Sequence, residues 1–250
     1  MNQKTENTIF FTIGRMNPPT SGHMLLIRTM MEEALQKGLT QINLIISATV
    51  DNKKNPLSCE EKRYFILNFM IHHLKELMKI EQPQLAEKID EIQVKIICMD
   101  DIVNPDYGKH PILKSIQYVL HDLYGYPREN LQMVLFIGED RIQDYNWIQK
   151  SLLERNPPVT MEIHGLDRPE GAMSATYIRN LALEGNLSQF RLEMEKTGLD
   201  ESSMLNLYHE IREKLTVSPP KKKKGGGTRK RGKRCQPRKK NFSKRKTYKK

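Results

Sequence analysis

Two polar strings hold the residues best suited to chemistry. The first is Gly14-Arg15-Met16-Asn17-Pro18-Pro19-Thr20-Ser21-Gly22-His23. Thr20 and His23 stand three apart, so in the first turn of a helix they fall on one face and address the same ligand. Pro18 and Pro19 stiffen the chain ahead of that helix, Gly14 permits close backbone approach, and Gly22 leaves room for a phosphate. A helix N-terminus adds free N–H groups and partial positive charge, which suit phosphate oxygens. The plainer alternative is that His23 caps a helix and the prolines form a turn. The second string is Met173-Ser174-Ala175-Thr176-Tyr177-Ile178-Arg179. Ser174 and Thr176 place hydroxyls near a helix start, and Arg179 follows Thr176 by one turn. Hydroxyls, N–H groups and a bidentate guanidinium together can hold a triphosphate tail. The alternative is a plain capped helix.

Positioning these strings falls to alternating strands and helices. Short apolar runs at 8–13, 42–47, 93–98, 133–137 and 160–164 predict strands buried on both faces, the habit of parallel sheets. Helical periodicity covers 21–37, 60–80, 111–123 and 146–153. The order predicts an α/β fold, a doubly wound, parallel, five-stranded Rossmann-like sheet, in which ligands bind at the carboxyl ends of strands. Helical patterns at 174–184, 187–196 and 201–215 predict a C-terminal helical cap over 174–216. The expected organisation is one domain over 1–216 and a disordered basic tail over 217–250.

Thr-x-Gly-His behind an Asn-Pro-Pro turn resembles the (His/Thr)-x-Gly-His signature of the nucleotidylyltransferase superfamily, which includes cytidylyltransferases, phosphopantetheine adenylyltransferase and the nicotinamide mononucleotide adenylyltransferases. The resemblance implies that His23 stabilises charge on the α-phosphate, with Thr20 its partner, and that Gly14, Arg15, Asn17 and Gly22 bind the nucleotide. The string 173–179 resembles the family's Ile-Ser-Ser-Thr-x-Ile-Arg motif and implies a nucleotide-binding role for Ser174, Thr176 and Arg179. It departs at Met173 for Ile, and at Ala175 for the second Ser, which removes one phosphate contact. The likeness spans residues 7–185.

Polar loops at the other strand ends supply further candidates. Asp51-Asn52-Lys53-Lys54-Asn55-Pro56-Leu57 resembles the equivalent loop of phage- or large-virus-type members of the superfamily. Asp51, Lys53 and Lys54 are acceptor-side candidates, and Lys62, in the following helix, is a candidate to neutralise the α-phosphate. Each lysine has the alternative of a solvated surface position. Gly138-Glu139-Asp140-Arg141 follows the fourth strand, where relatives line the nucleotide pocket. Gly138, Asp140 and Arg141 join the nucleotide-binding set, although a helix-capping Asp140 fits the sequence equally. Asp100 and Asp101 are read as turn formers, Trp147 as packing, and no protein-held metal site is expected.

The reaction implied is attack by a phosphate or hydroxyl of a small acceptor on the α-phosphate of ATP, or of CTP, with Mg²⁺ on the triphosphate. A catalytically inactive nucleotide-binding protein is the first alternative. A nucleic-acid-associated protein acting through its tail is the second. The charge distribution keeps that alternative open. The formal net charge is +11, yet residues 221–250 hold 17 Lys and Arg and no Asp or Glu, leaving 24 basic against 30 acidic residues elsewhere. Such a tail attracts polyanions without reading sequence, or serves nuclear import. Three widely spaced cysteines, Cys59, Cys98 and Cys235, suggest neither a disulfide framework nor a zinc site, with Cys98 a buried apolar residue. No apolar run approaches the roughly 20 residues of a membrane span. An intracellular protein, cytoplasmic or nuclear, is expected, and its oligomeric state is left open.

Overall fold

The computed structural model describes residues 7–127, 129–167 and 173–216. Five strands, β1 (Thr8–Gly14), β2 (Gln41–Ile46), β3 (Gln93–Cys98), β4 (Gln132–Gly138) and β5 (Thr160–Leu166), form one sheet in the order β3-β2-β1-β4-β5. Every neighbouring pair is parallel. Parallel neighbours need crossover connections, and the helices α1 (Ser21–Lys37), α2 (Cys59–Phe65), α3 (His72–Glu81), α4 (Ala86–Glu91), α5 (Pro111–Tyr118) and α6 (Asn146–Leu153) lie in them.

Side chains alternate between the faces of a strand, so an unbroken apolar run feeds two cores. Phe10, Ile42, Leu44, Ile46, Val134 and Phe136 join α1 and the α2–α4 region on one face. Ile9, Phe11, Ile45, Met133, Leu135 and Ile137 join Ile116, Ile148 and Leu152 on the other. α1 ends where Gly38 takes φ 68°, and its amide bonds back to Leu35.

Three further helices, α7 (Ala175–Glu184), α8 (Leu187–Glu195) and α9 (Glu201–Thr216), build a third cluster. It includes Leu57 and Phe65, so these helices pack against α2 and the loop before it. A polar clamp adds to the contact. Ser58 caps α2, its N–H bonding the Glu61 carboxylate at 2.6 Å, and Lys214 of α9 bonds both oxygens of Glu61 at 2.6 and 2.8 Å.

The structure departs from the sequence expectations in four places. The helix expected over 60–80 is interrupted by a π-helical stretch, Ile66–Ile71, and the one over 111–123 finishes in another, Val119–Leu123. α4 was not anticipated, because six residues are too few to show a helical period. Cys59 and Cys98 form a disulfide, with Cα atoms 6.1 Å apart across 39 residues of sequence. The expectation of unpaired cysteines is corrected here. The first turn of α2 lies at the carboxyl end of β3, a proximity that spacing along the chain does not reveal. Cys235 and the basic segment 217–250 fall outside the described residues. No described helix is long and apolar enough to cross a membrane.

The clamp sets an acid limit. Burial opposes ionisation of Glu61, but its hydrogen bonds with Glu210, Lys214 and Ser58 outweigh that and bring the carboxyl down to about 2 from an ordinary 4.5. A folded-state pKa below the unfolded one gives stability that is complete above pH 4.5 and is lost as pH falls towards 2. Glu61→Gln is expected to flatten this part of the acid limb in denaturant titrations between those pH values, leaving the neutral-pH fold intact.

Candidate functional site

The site begins where β1 ends. Ser47 N–H bonds Gly14 O at 2.9 Å, one step beyond the strand pairing, and then the two chains part. Met16 turns the chain with φ 45°, a conformation that costs a non-glycine residue energy and is held by its surroundings. Asn17 supplies that hold. Its side chain is buried, donates to Leu57 O at 2.8 Å and accepts from Leu57 N at 3.0 Å. The β1–α1 turn is thereby fixed to the loop after β2.

Thr20 follows as the N-cap of α1, with extended backbone. Its N–H donates to His23 Nδ1 at 3.1 Å, and its Oγ1 lies 2.9 Å from the same nitrogen. A backbone N–H can only donate, so Nδ1 is the acceptor and the neutral ring carries its proton on Nε2. The side-chain pair expected to face one ligand therefore also sets the tautomer. Gly22 faces the second string: a Cβ there would stand 3.4 Å from the Met173 carbonyl, an ordinary van der Waals contact.

Arg179 makes that junction. It is 7% exposed, and one guanidinium nitrogen donates to Asn17 O at 2.5 Å while another donates to Thr176 Oγ1 at 3.0 Å. Burial, then the nearby Arg15 charge, lowers its pKa, yet a guanidinium remains a cation at any physiological pH. Ser174 caps α7 through the Tyr177 N–H at 3.2 Å. The two strings thus meet around one cavity of about 210 Å³.

Most of the sequence candidates line it. Gly14, Arg15, Asn17, Thr20, Gly22, His23, Lys54, Gly138, Arg141, Ser174, Thr176 and Arg179 are all on its wall. Four candidates are not. Asp140 is exposed beside Glu139 on a shallower depression that shares Leu166 and Asp167 with the cavity. Lys53 is exposed. Lys62 is wholly buried outside the lining, with its ammonium group on the Ser47 and Arg15 carbonyls. Asp51 folds its own loop. One carboxylate oxygen accepts the amides of Lys53 at 2.8 Å and Lys54 at 2.7 Å, and the other accepts the Asn55 side chain. The Lys54 amide, the Asn55 side chain and the other loop bonds, against the opposing effect of burial, hold the Asp51 carboxyl far below the usual carboxylate range. Asp51 therefore places Lys54 at the cavity.

Sequence reasoning missed Thr12, Tyr145 and Asp167 on the wall. Asp167 follows β5, and the rule that ligands sit at carboxyl ends of strands would have singled it out. Tyr145 arrives by a 3-10 turn, Glu139–Asp144, whose register the sequence does not announce. It is 2% exposed, and burial raises its hydroxyl pKa. Trp147, expected to pack, is half exposed with its indole N–H on Asp144 O at 2.9 Å. Asp101, in the 3-10 turn Met99–Asp101, pairs with Arg63 of α2 at 2.9 Å.

The loop role of Asp51 is open to direct measurement. In Asp51→Ala, amide exchange at Lys53, Lys54 and Asn55 followed by NMR is expected to quicken by about tenfold or more, the loss of one to two hydrogen bonds to a charged acceptor. The melting temperature should fall as well, because a carboxyl held below its unfolded pKa stabilises the fold at neutral pH. Unchanged exchange at these amides would remove Asp51 from this role.

The model of one family, described as cytidylyltransferase-like, matches residues 11–181, a stretch that begins inside β1, ends inside α7 and contains both strings. No curated protein matches the chain. With more than half its length matched and both strings around one cavity, the chain belongs to the cytidylyltransferase-like family.

Proposed function

We propose that this protein is a nucleotidylyltransferase that moves a nucleoside monophosphate from ATP to a small acceptor bearing a phosphate or hydroxyl, with CTP the alternative donor. The observation that carries the reading is the meeting of two strings some 160 residues apart, with Arg179 bonded to the Asn17 carbonyl beside His23. An acceptor oxygen attacks the α-phosphorus, the bond from that phosphorus to the bridging oxygen of the β-phosphate breaks, and pyrophosphate leaves. The protein's part is positioning and charge stabilisation. His23, with Nδ1 occupied by Thr20, offers its Nε2 proton to the α-phosphate. Ser174, Thr176 and Arg179 hold the β- and γ-phosphates, while Arg15, Lys54 and Arg141 bring positive charge to the remaining wall.

Mg²⁺ is expected as the companion of the triphosphate. Among the described residues, no group of three or more His, Cys, Asp or Glu side chains is placed to hold a metal, and Asp167 is the one carboxylate on the cavity wall. The ion would be held chiefly by phosphate oxygens, whose charge it would offset. The segment 221–250 enters the proposal as a sequence-indifferent contact for polyanions, salt-sensitive and separate from the chemistry.

The second reading is a nucleotide-binding protein without transfer activity. It is favoured by Ala175, which lines the cavity where the family motif carries a serine. Pyrophosphate release from ATP and from CTP, with a panel of phosphorylated and hydroxylated acceptors, separates the two. Transfer predicts that His23→Ala lowers kcat by about 10²–10³, the cost of removing one donor to a developing anion, with nucleotide affinity little changed. Nucleotide binding without turnover on any acceptor would leave the second reading standing. Removal of residues 219–250 is expected to abolish nucleic-acid retention at low salt and to preserve turnover; loss of turnover would tie the tail to the chemistry.

A further inference from the structure

Lys62 is a lysine with no exposed surface and no place on the cavity wall. A buried ammonium group is tolerated only where its three donors find oxygens. Here the oxygens are backbone carbonyls, that of Ser47 and, at 3.3 Å, that of Arg15. The neighbouring charges on α2 are engaged elsewhere. Glu61 is held by Lys214, and Arg63 pairs with Glu60 and Asp101. Burial lowers the pKa of Lys62 to about 8, so the group is still a cation at neutral pH.

The two carbonyls mark a particular place. β1 and β2 are paired up to Gly14 and Ile46, and the ladder closes with the Ser47 amide on Gly14 O. Past that point one chain enters the Met16 turn and the other runs to the Asp51–Asn55 turn that presents Lys54. Two strand ends that separate leave carbonyls without ladder partners, and unsatisfied buried carbonyls are costly. Lys62 occupies the fork. α2 is fixed for this task by the Ser58 cap, the Lys214 clamp and the Asn17–Leu57 pairing just ahead of it.

We propose that Lys62 is a positioning residue: by holding the Arg15 and Ser47 carbonyls together it sets where the Arg15 and Lys54 side chains meet an anionic ligand in the cavity. The inference rests on the reading of that cavity as a nucleotide site, and it gives Lys62 a part other than direct contact with the α-phosphate.

The test uses the full chain in two measurements. The first needs no ligand. Hydrogen–deuterium exchange of Lys62→Met is expected to accelerate by about tenfold in residues 15–20 and 47–55, the loss of a charge-assisted hydrogen bond, with β4 amides unchanged. Lys62→Gln, which keeps one neutral donor, should fall between the two and serves if the methionine variant does not fold. Wild-type exchange in both segments of a folded variant overturns the proposal. The second is ATP binding by calorimetry. Lys62→Met is expected to weaken it by about tenfold on the same ground, and to add less than about twofold in a background carrying both Arg15→Ala and Lys54→Ala, because residues acting through one another are not additive. Full additivity overturns the proposal in favour of a separate contact with the ligand. Absence of ATP binding in the wild type would count against the nucleotide reading, while the exchange result still decides the role of Lys62.

Discussion

The hydrogen bond from Arg179 to the Asn17 carbonyl holds together a site that the chain itself leaves in pieces. Asn17 is the node. Its side chain grips Leu57 through two bonds, and its carbonyl receives the guanidinium from α7. Three segments far apart in sequence are joined through one residue that is 1% exposed. The parallel sheet makes this possible, because all its strands deliver their carboxyl ends to one edge, and β1 and β4 are central neighbours there.

That edge is electrostatically unlike the rest of the domain. Outside the last thirty residues acidic groups outnumber basic ones, yet among the described residues the cavity wall carries Arg15, Lys54, Arg141 and Arg179 against Asp167. Like charges facing one space repel, and an anion in that space relieves the repulsion. Arg179 tolerates its burial because neutral acceptors, Asn17 O and Thr176 Oγ1, are supplied by the backbone and by its own helix. Arg141 is shared with Asp144 at 2.6 Å. Local charge of this kind focuses anions towards the mouth of the cavity.

The strands were legible because buried parallel strands read as apolar runs; β3 falls at 93–98 as expected, and the others shift by one or two residues. The cavity wall was legible where a motif lies in one continuous string, as at Thr20 and His23. It was less so where tertiary packing decides. Nothing in the order of residues says that Lys62 turns inward while Lys54 reaches the cavity, since both lie in polar, charged stretches. Nor does spacing tell that the carboxylate of Asp51 is consumed by its own loop. The Cys59–Cys98 bond escaped for the same reason, being a product of how α2 meets β3. Tyr145 reaches the wall from a turn with no periodic signal, and Asp167 from the position just after β5.

The three apolar clusters acquire a further meaning from where the cavity lies. His23 stands on α1, which is packed in the first cluster; Tyr145 belongs to the second; Arg179 stands on α7, which is packed in the third. The cavity therefore lies where three apolar clusters of one compact domain contribute a wall each. A substitution deep in any one cluster can reach the cavity through the element that cluster positions. A ligand seated there touches elements of all three, and the domain with ligand bound should resist local opening in places that the ligand never touches.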